Sequence, residues 1–437
     1  MPAPLEPRRL LFVSIDGLAA PYLEDPSLEL PTIQELVARG SAVPRVRTPL
    51  PGVTWPCHTT LVTAAPPARH GVLGNLVFDR RDRALKQHLG DRAYDKEDLV
   101  RAPTLYDLAH AAGLETAAVC WPQTRGARTL DFQVPEALDQ PIFERYATPA
   151  LWTALRAAGL PVEQYAAWSS VNVLAPLQDR LTTEVTCHLI ARHRPALLLV
   201  HYLALDCYQH DFGAGSPEAR WALDYVDAEL GRVLAALRRA DLFGQTAVVV
   251  ASDHGFTNTR TRILPNVWLR EQGLLRPDAA GALGDSDAVV AANGGVAALT
   301  VLREHGREEL VARLATELAR LPGVTAVHGP DGAAGLGLPT PGTHPHAGDL
   351  LLVAAPDAYF DSEARGDEVL RPAIYRATHG HPPADPWLCT AMVAAGPGAA
   401  AGARVPEADL AEVGATAAAL LGLAFPDGAA PLRAFLE

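Results

Sequence analysis

Lysine is almost missing from this 437-residue chain. Lys86 and Lys96 are the only two, so nearly all positive charge is arginine. The 37 basic residues are outnumbered by 50 acidic ones, the net charge is -13, and basic runs stop at pairs such as Arg8-Arg9, Arg80-Arg81 and Arg238-Arg239. No broad positive face for duplex nucleic acid is expected, and an anionic substrate would have to be held by a few local cations. Cysteine is scarce as well. Cys57, Cys120, Cys187, Cys207 and Cys389 are odd in number, scattered and never paired as CxxC. That pattern excludes a disulfide framework and a thiolate zinc site. No uninterrupted apolar run reaches the ~18 residues of a membrane span, so no membrane partner is expected. The short apolar run Leu10–Ile15 follows two arginines but ends on Asp16. It reads as a first strand and not as a signal peptide. The expectation is a cytoplasmic, reducing location, or a secreted one if a leader has been removed.

What the chain does contain is core. It is 49% hydrophobic and 20% charged, an ordinary composition for a soluble globular protein. Apolar runs of strand length recur at Leu10–Ile15, Thr116–Cys120, Leu197–Leu203, Thr246–Ala251, Val296–Leu302, Asp349–Ala354 and Thr390–Ala395. Between several of them lie helical patterns. One starts at Ser216 as cap with Pro217 in the first turn, and stripes Ala222, Val226, Leu230, Val233, Leu234 and Leu237 along one face. Strands alternating with such helices predict an α/β fold with a mostly parallel central sheet and helices on both faces. Continuous apolar strands fit a sheet covered on both sides. The stretch 257–378 is rich in Gly, Pro and Ala and carries turn clusters such as Gly329-Pro330-Asp331-Gly332. It reads as an inserted cap subdomain, leaving 1–256 and 379–437 as the catalytic core. Val134–Val173 is a second candidate for a substrate-side insertion.

In open α/β sheets ligands bind beyond the carboxyl ends of the strands. Here those ends carry metal-type side chains. Leu10–Ile15 runs into Asp16-Gly17, Leu197–Leu203 runs toward Asp206 and His210, and Thr246–Ala251 runs into Ser252-Asp253-His254-Gly255. Thr378-His379-Gly380-His381 follows later. An Asp-Gly after a strand is by itself usually a turn, and an Asp four residues before a His is usually a surface pair. Jointly they indicate a site for two divalent cations. Such a pair, about 4 Å apart, clamps the attacking and leaving oxygens of a phosphate ester. Mixed Asp/His ligation suits zinc, with manganese or iron as competitors. Thr54, in Gly52-Val-Thr54-Trp-Pro56-Cys-His, stands where a loop enters a helix. A hydroxyl there meets backbone N–H groups and the positive end of the dipole. Its bland role would be an N-cap; beside metal ligands it becomes a nucleophile. Asn75 could donate to a phosphoryl oxygen, its alternative being an Asx turn after Gly74.

These residues resemble the alkaline phosphatase superfamily, and within it the nucleotide pyrophosphatase/phosphodiesterase branch. The resemblance rests on Asp16-Gly17, Thr54-Trp-Pro-Cys-His, His70-Gly-Val-Leu-Gly-Asn75, Asp206-x-x-x-His210, Ser252-Asp253-His254-Gly255 and Thr378-His379-Gly380. It implies one metal on Asp16, Thr54, Asp253 and His254, and another on Asp206, His210 and His379. It also implies attack by Thr54 at phosphorus, a phosphothreonine intermediate, release by water activated at the second metal, and net retention. Cys57 and His381 depart from the residues common at their positions in the branch; His381 could be a spare ligand or acid. Trp121-Pro122 resembles the diesterase branch, and Trp55 and Trp121 are candidates for substrate contact, although a buried structural tryptophan fits as well. Arg125 and Arg128 could bind a substrate anion. The arginine clamp of bacterial alkaline phosphatases is not recognisable, which leans toward diesters and toward small phosphate esters or nucleotides as substrates. Alternatives are a threonine-based phosphomonoesterase, a phosphonoacetate hydrolase and an inactive metal-binding homologue. Phosphonoacetate calls for a lysine pair near the pocket, and neither Lys86 nor Lys96 follows the Trp121 strand. A sulfatase reading fails, because Cys57 is followed by His58-Thr59-Thr60-Leu61.

Overall fold

The computed structural model describes residues 8–278 and 282–437. An eight-stranded sheet runs through the molecule in the order Ala408–Asp409, Ser41–Arg47, Thr390–Ala395, Thr246–Ala251, Arg9–Ile15, Leu197–Tyr202, Thr116–Trp121, Phe132–Pro135. Thr246–Ala251 and the four strands beyond it are mutually parallel. Thr390–Ala395 is the exception: it runs antiparallel to both of its neighbours.

The alternation of side chains along a strand explains why the runs are apolar throughout. Leu11, Val13 and Ile15 point into one cluster, beside residues of the helices Ala175–Arg192 and Pro217–Arg239. Leu10 and Phe12 point into the opposite cluster, beside residues of the helices Thr54–Thr63 and Leu410–Leu421. On that second face the two helices touch closely. A Cβ on Gly414 would lie 2.2 Å from the Leu61 carbonyl oxygen. Gly414→Ala must therefore push the Thr54–Thr63 helix away, at about 1–3 kcal/mol. A melting temperature several degrees lower is expected, and an unchanged one would show that the helices separate freely.

The segment 257–378 leaves and rejoins the sheet side by side, since Thr257–Asn258 pairs antiparallel with Ala377–Thr378. Within it Ala288–Asn293, Val296–Val301, Leu350–Ala354 and Val324–His328 form a four-stranded sheet. All of its pairings are antiparallel. Val289, Leu299, Leu314 and Leu352 build a core there that also takes in Phe78. Phe78 comes from the hairpin Leu76–Asp79/Ala84–Gln87, so this small sheet is packed against the loop that carries Asn75. Among the described residues no helix is long and apolar enough to cross a membrane.

Candidate active site

Three central, adjacent, parallel strands end side by side, and each releases one carboxylate. Asp16 follows Arg9–Ile15, Asp253 follows Thr246–Ala251, and Asp206 lies just past Leu197–Tyr202. Asp206 and His210 sit one turn apart on the helix Ala204–Phe212. Asp179 fixes the start of that helix, accepting from the N–H groups of Leu203 and Ala204 at 2.9 Å each.

Two groups of side chains result. His254 Nε2 is 3.3 Å from Asp16 Oδ1 and 3.2 Å from Asp253 Oδ2. Thr54 Oγ1 is 3.4 Å from the same nitrogen. In the second group Asp206 Oδ1 is 3.6 Å from His210 Nε2 and 3.9 Å from His379 Nε2. The His254 and His379 rings stack at 3.6 Å between centroids, which brings the groups together. His210 Nδ1 faces the Ala377 carbonyl at 3.0 Å, and His379 Nδ1 faces that of Gly52 at 3.2 Å. Those contacts hold the Nδ1–H tautomer and leave Nε2 of both rings as an acceptor, as metal-binding imidazoles require.

Thr54 is the first residue of its ten-residue helix, and Val53 is the cap, so the hydroxyl is not spent on capping. Asn75 stands beside it. Its side-chain oxygen accepts from the Trp55 N–H at 2.9 Å. Thr54, Asn75, Asp206, His210 and His379 share one cleft that is partly open to solvent.

The charges in this site are unbalanced. Burial, followed by Asp253 and Asp206, pushes the Asp16 carboxyl well up. Burial raises Asp253 to about 7, with Asp206 adding to the shift, and burial also raises Asp206. Burial pushes His254 and His379 down, and neighbouring histidines add to it. Asp16 Oδ1, Asp206 Oδ1 and Asp253 Oδ2 are buried with no hydrogen-bond donor among the described residues. Acceptors left in that condition are costly. Divalent cations would satisfy them, so the residues present fit a pair of metals. Ligand atoms of Asp206, His210 and His379 lie within 4.8 Å of one another, as do those of Asp16, Asp206 and His254.

The profile described as type I phosphodiesterase / nucleotide pyrophosphatase matches residues 10–382. The chain belongs to this family. Among curated relatives, human ectonucleotide pyrophosphatase/phosphodiesterase family member 1 is 25% identical over 254 residues, which is 58% of this chain and 24% of that protein. Bis(5'-adenosyl)-triphosphatase of Bos taurus is 25% identical over 256 residues, 57% of this chain and 48% of that one. The chain thus spans about a quarter to a half of the length of these relatives. In fold it resembles murine ectonucleotide pyrophosphatase/phosphodiesterase 5, with a TM-score of 0.73, 18% identity, and coverage of 98% of this chain and 100% of the other. An inactive, threonine-to-alanine form of that murine protein in complex with AMP matches with a TM-score of 0.72.

Against this family background some sequence expectations need correction. Trp55 and Trp121 are fully buried and do not line the cleft, so neither can stack on a substrate. Trp55 packs with Val72 and Leu99, and Trp121 against Phe12 and His58. His381 is no spare ligand, because it lies outside the cleft that holds Thr54, with its Nε2 facing the carbonyls of Ala355 and Ala358 and its Nδ1 edge packed against Gly295. Arg125 is tied to Asp95 at 2.6 Å, and neither it nor Arg128 lines the cleft. Further residues of the site stand outside the sequence motifs. His201 bridges Asp16 Oδ2 and Glu136 Oε2, each at 3.1 Å, through its two nitrogens. Burial opposes charge on this ring, but its hydrogen bonds to Asp16, Cys120 and Glu136 raise it well above the usual range. A histidine inside an apolar strand and a glutamate at a strand end were visible signals. Asn293 gave none.

Proposed function

We propose that the chain hydrolyses phosphodiester or pyrophosphate bonds, with Thr54 as nucleophile and two divalent cations, zinc first. The observation that carries this is the placement of the Thr54 hydroxyl. It is uncapped, at a helix N-terminus, 3.4 Å from the imidazole that Asp16 and Asp253 share. When bound, the cations would polarise the ester and lower the cost of an alkoxide. Asp16, Asp253 and His254 would hold one of them and Asp206, His210 and His379 the other. Thr54 Oγ1 attacks phosphorus as it gives up its proton, and the leaving oxygen departs on the opposite side and takes up a proton. Water then hydrolyses the phosphothreonine ester, restoring the Thr54 hydroxyl and freeing the phosphate product. Asn75 Nδ2 donates to a non-bridging oxygen as charge builds there.

A diester suits the cleft better than a monoester. Among the described residues that line it, Arg92 is the one Lys or Arg, and it is bound to Asp139 at 2.7 Å. Lys86 and Lys96 are paired with Asp82 and Asp107, away from the cleft, so a lysine-held carboxylate such as phosphonoacetate is disfavoured. The aromatic faces in the cleft come from Tyr359, Phe360 and Tyr375. Tyr359 and Phe360 are almost fully buried, so the ring open to a nucleobase is that of Tyr375, in line with the AMP complex of the murine protein. Turnover of an aryl phosphodiester, an aryl phosphomonoester, a dinucleotide and phosphonoacetate should be compared side by side. The diester and dinucleotide are expected to lead by at least tenfold, and a lead for the monoester would overturn the assignment.

A further inference from the structure

We propose that Asn293, at the turn of the antiparallel hairpin 288–301, is a positioning residue that aims Asn75 at the phosphoryl group. The idea rests on the reading above that Asn75 Nδ2 contacts phosphate. Asn293 is buried, and its single amide satisfies three backbone groups of the Asn75 loop. Its Oδ1 accepts from the N–H groups of Asn75 at 2.7 Å and Leu76 at 3.1 Å. Its Nδ2 donates to the Leu76 carbonyl at 2.9 Å. From the other side, the His88 backbone N–H donates to the Asn75 carbonyl at 2.7 Å, and the His88 ring holds the Gly74 carbonyl at 2.8 Å. With its side-chain oxygen taken by Trp55, Asn75 keeps only Nδ2 free of protein partners among the described residues.

Close packing makes this arrangement specific to its residues. A Cβ on Gly74 would lie 2.7 Å from both Asn293 amide atoms. The turn also reaches the other half of the site. Gly295 N–H donates to the His379 carbonyl at 2.9 Å, and a Cβ on Gly294 would lie 2.1 Å from that oxygen. A turn of the small sheet is thus wedged between the phosphoryl donor and a candidate metal ligand. Aspartate at 293 would keep both acceptors but lose the donor to Leu76, and would set a carboxylate against a carbonyl.

The test is a double-mutant cycle on the full chain. It measures kcat and KM with an aryl phosphodiester, bound metal by elemental analysis, and melting temperature. Asn75→Ala is expected to lower kcat about 10²-fold or more. Asn293→Ala should lower kcat at least about tenfold, with KM nearly unchanged and both metals retained. In the Asn75→Ala background, Asn293→Ala should cost less than about threefold, because its target is already gone. Equal losses in both backgrounds, or no loss from Asn293→Ala, would overturn the proposal. If Asn293→Ala fails to fold, Asn293→Asp, which keeps the size, carries the same cycle. An Asn75→Ala enzyme of full activity would instead overturn the phosphate-binding reading of Asn75.

Discussion

Thr54→Ala is expected to reduce diester turnover by at least about 10³-fold while both cations remain bound. Loss of a covalent nucleophile leaves only binding and electrostatic stabilisation, and such losses run to several orders of magnitude. The variant should fold. Thr54 is the first residue of its helix, its hydroxyl caps nothing, and alanine is the better helix former. Asp16, Asp253 and His254 keep their mutual contacts at 3.2–3.3 Å without it. Elemental analysis should therefore give the same metal content in variant and parent. Acid quenching during turnover of a phosphorus-labelled substrate should leave label on the parent and none on the variant. Thr54→Ser, which keeps a hydroxyl on a freer side chain, should recover part of the rate. A Thr54→Ala enzyme with near-parent turnover would end the covalent mechanism, whatever its metal content.

The strands that deliver the site were legible because a sheet covered on both faces needs apolar residues at every position. Thr246–Ala251 and Thr390–Ala395 could be bounded to the residue on that ground. The direction of Thr390–Ala395 was not legible, since both faces are buried whichever way it runs. The carboxylates could be read because a polar residue directly after a buried run must leave the sheet at its edge. Trp55 and Trp121 were misread for a physical reason: a tryptophan that fills a core and one that stacks on a base are the same side chain, and only exposure separates them. Asn293 was hidden differently. It meets Asn75 across 218 positions, through the fold of a second sheet, and no local pattern encodes that contact.

Removing the cations is expected to abolish activity and to reverse the pH dependence of stability. In the metal-free protein, burial raises Asp16, Asp206 and Asp253 above their ordinary value of 3.8, Asp253 to about 7, and repulsion from the neighbouring site carboxylates adds to the shift at Asp16 and Asp253. A carboxyl raised on folding contributes stability that is fully present below its unfolded value and is lost as the pH climbs through the folded one. Each such group costs about 1.4 kcal/mol per pH unit across that window. The chelated protein should therefore weaken from roughly pH 4 to beyond pH 7. Cations bind the deprotonated carboxylates, so what they contribute grows over the same range. The difference in melting temperature between zinc-loaded and chelated protein should thus be small at pH 5 and larger by several degrees at pH 8. The depressed His254 and His379 act on the chelated protein in the opposite sense, up to their unfolded value, but they are neutral with or without the cations and so add little to the difference between the two forms. A difference that stays flat with pH would mean that the three carboxylates do not hold the metal, even if zinc restored activity.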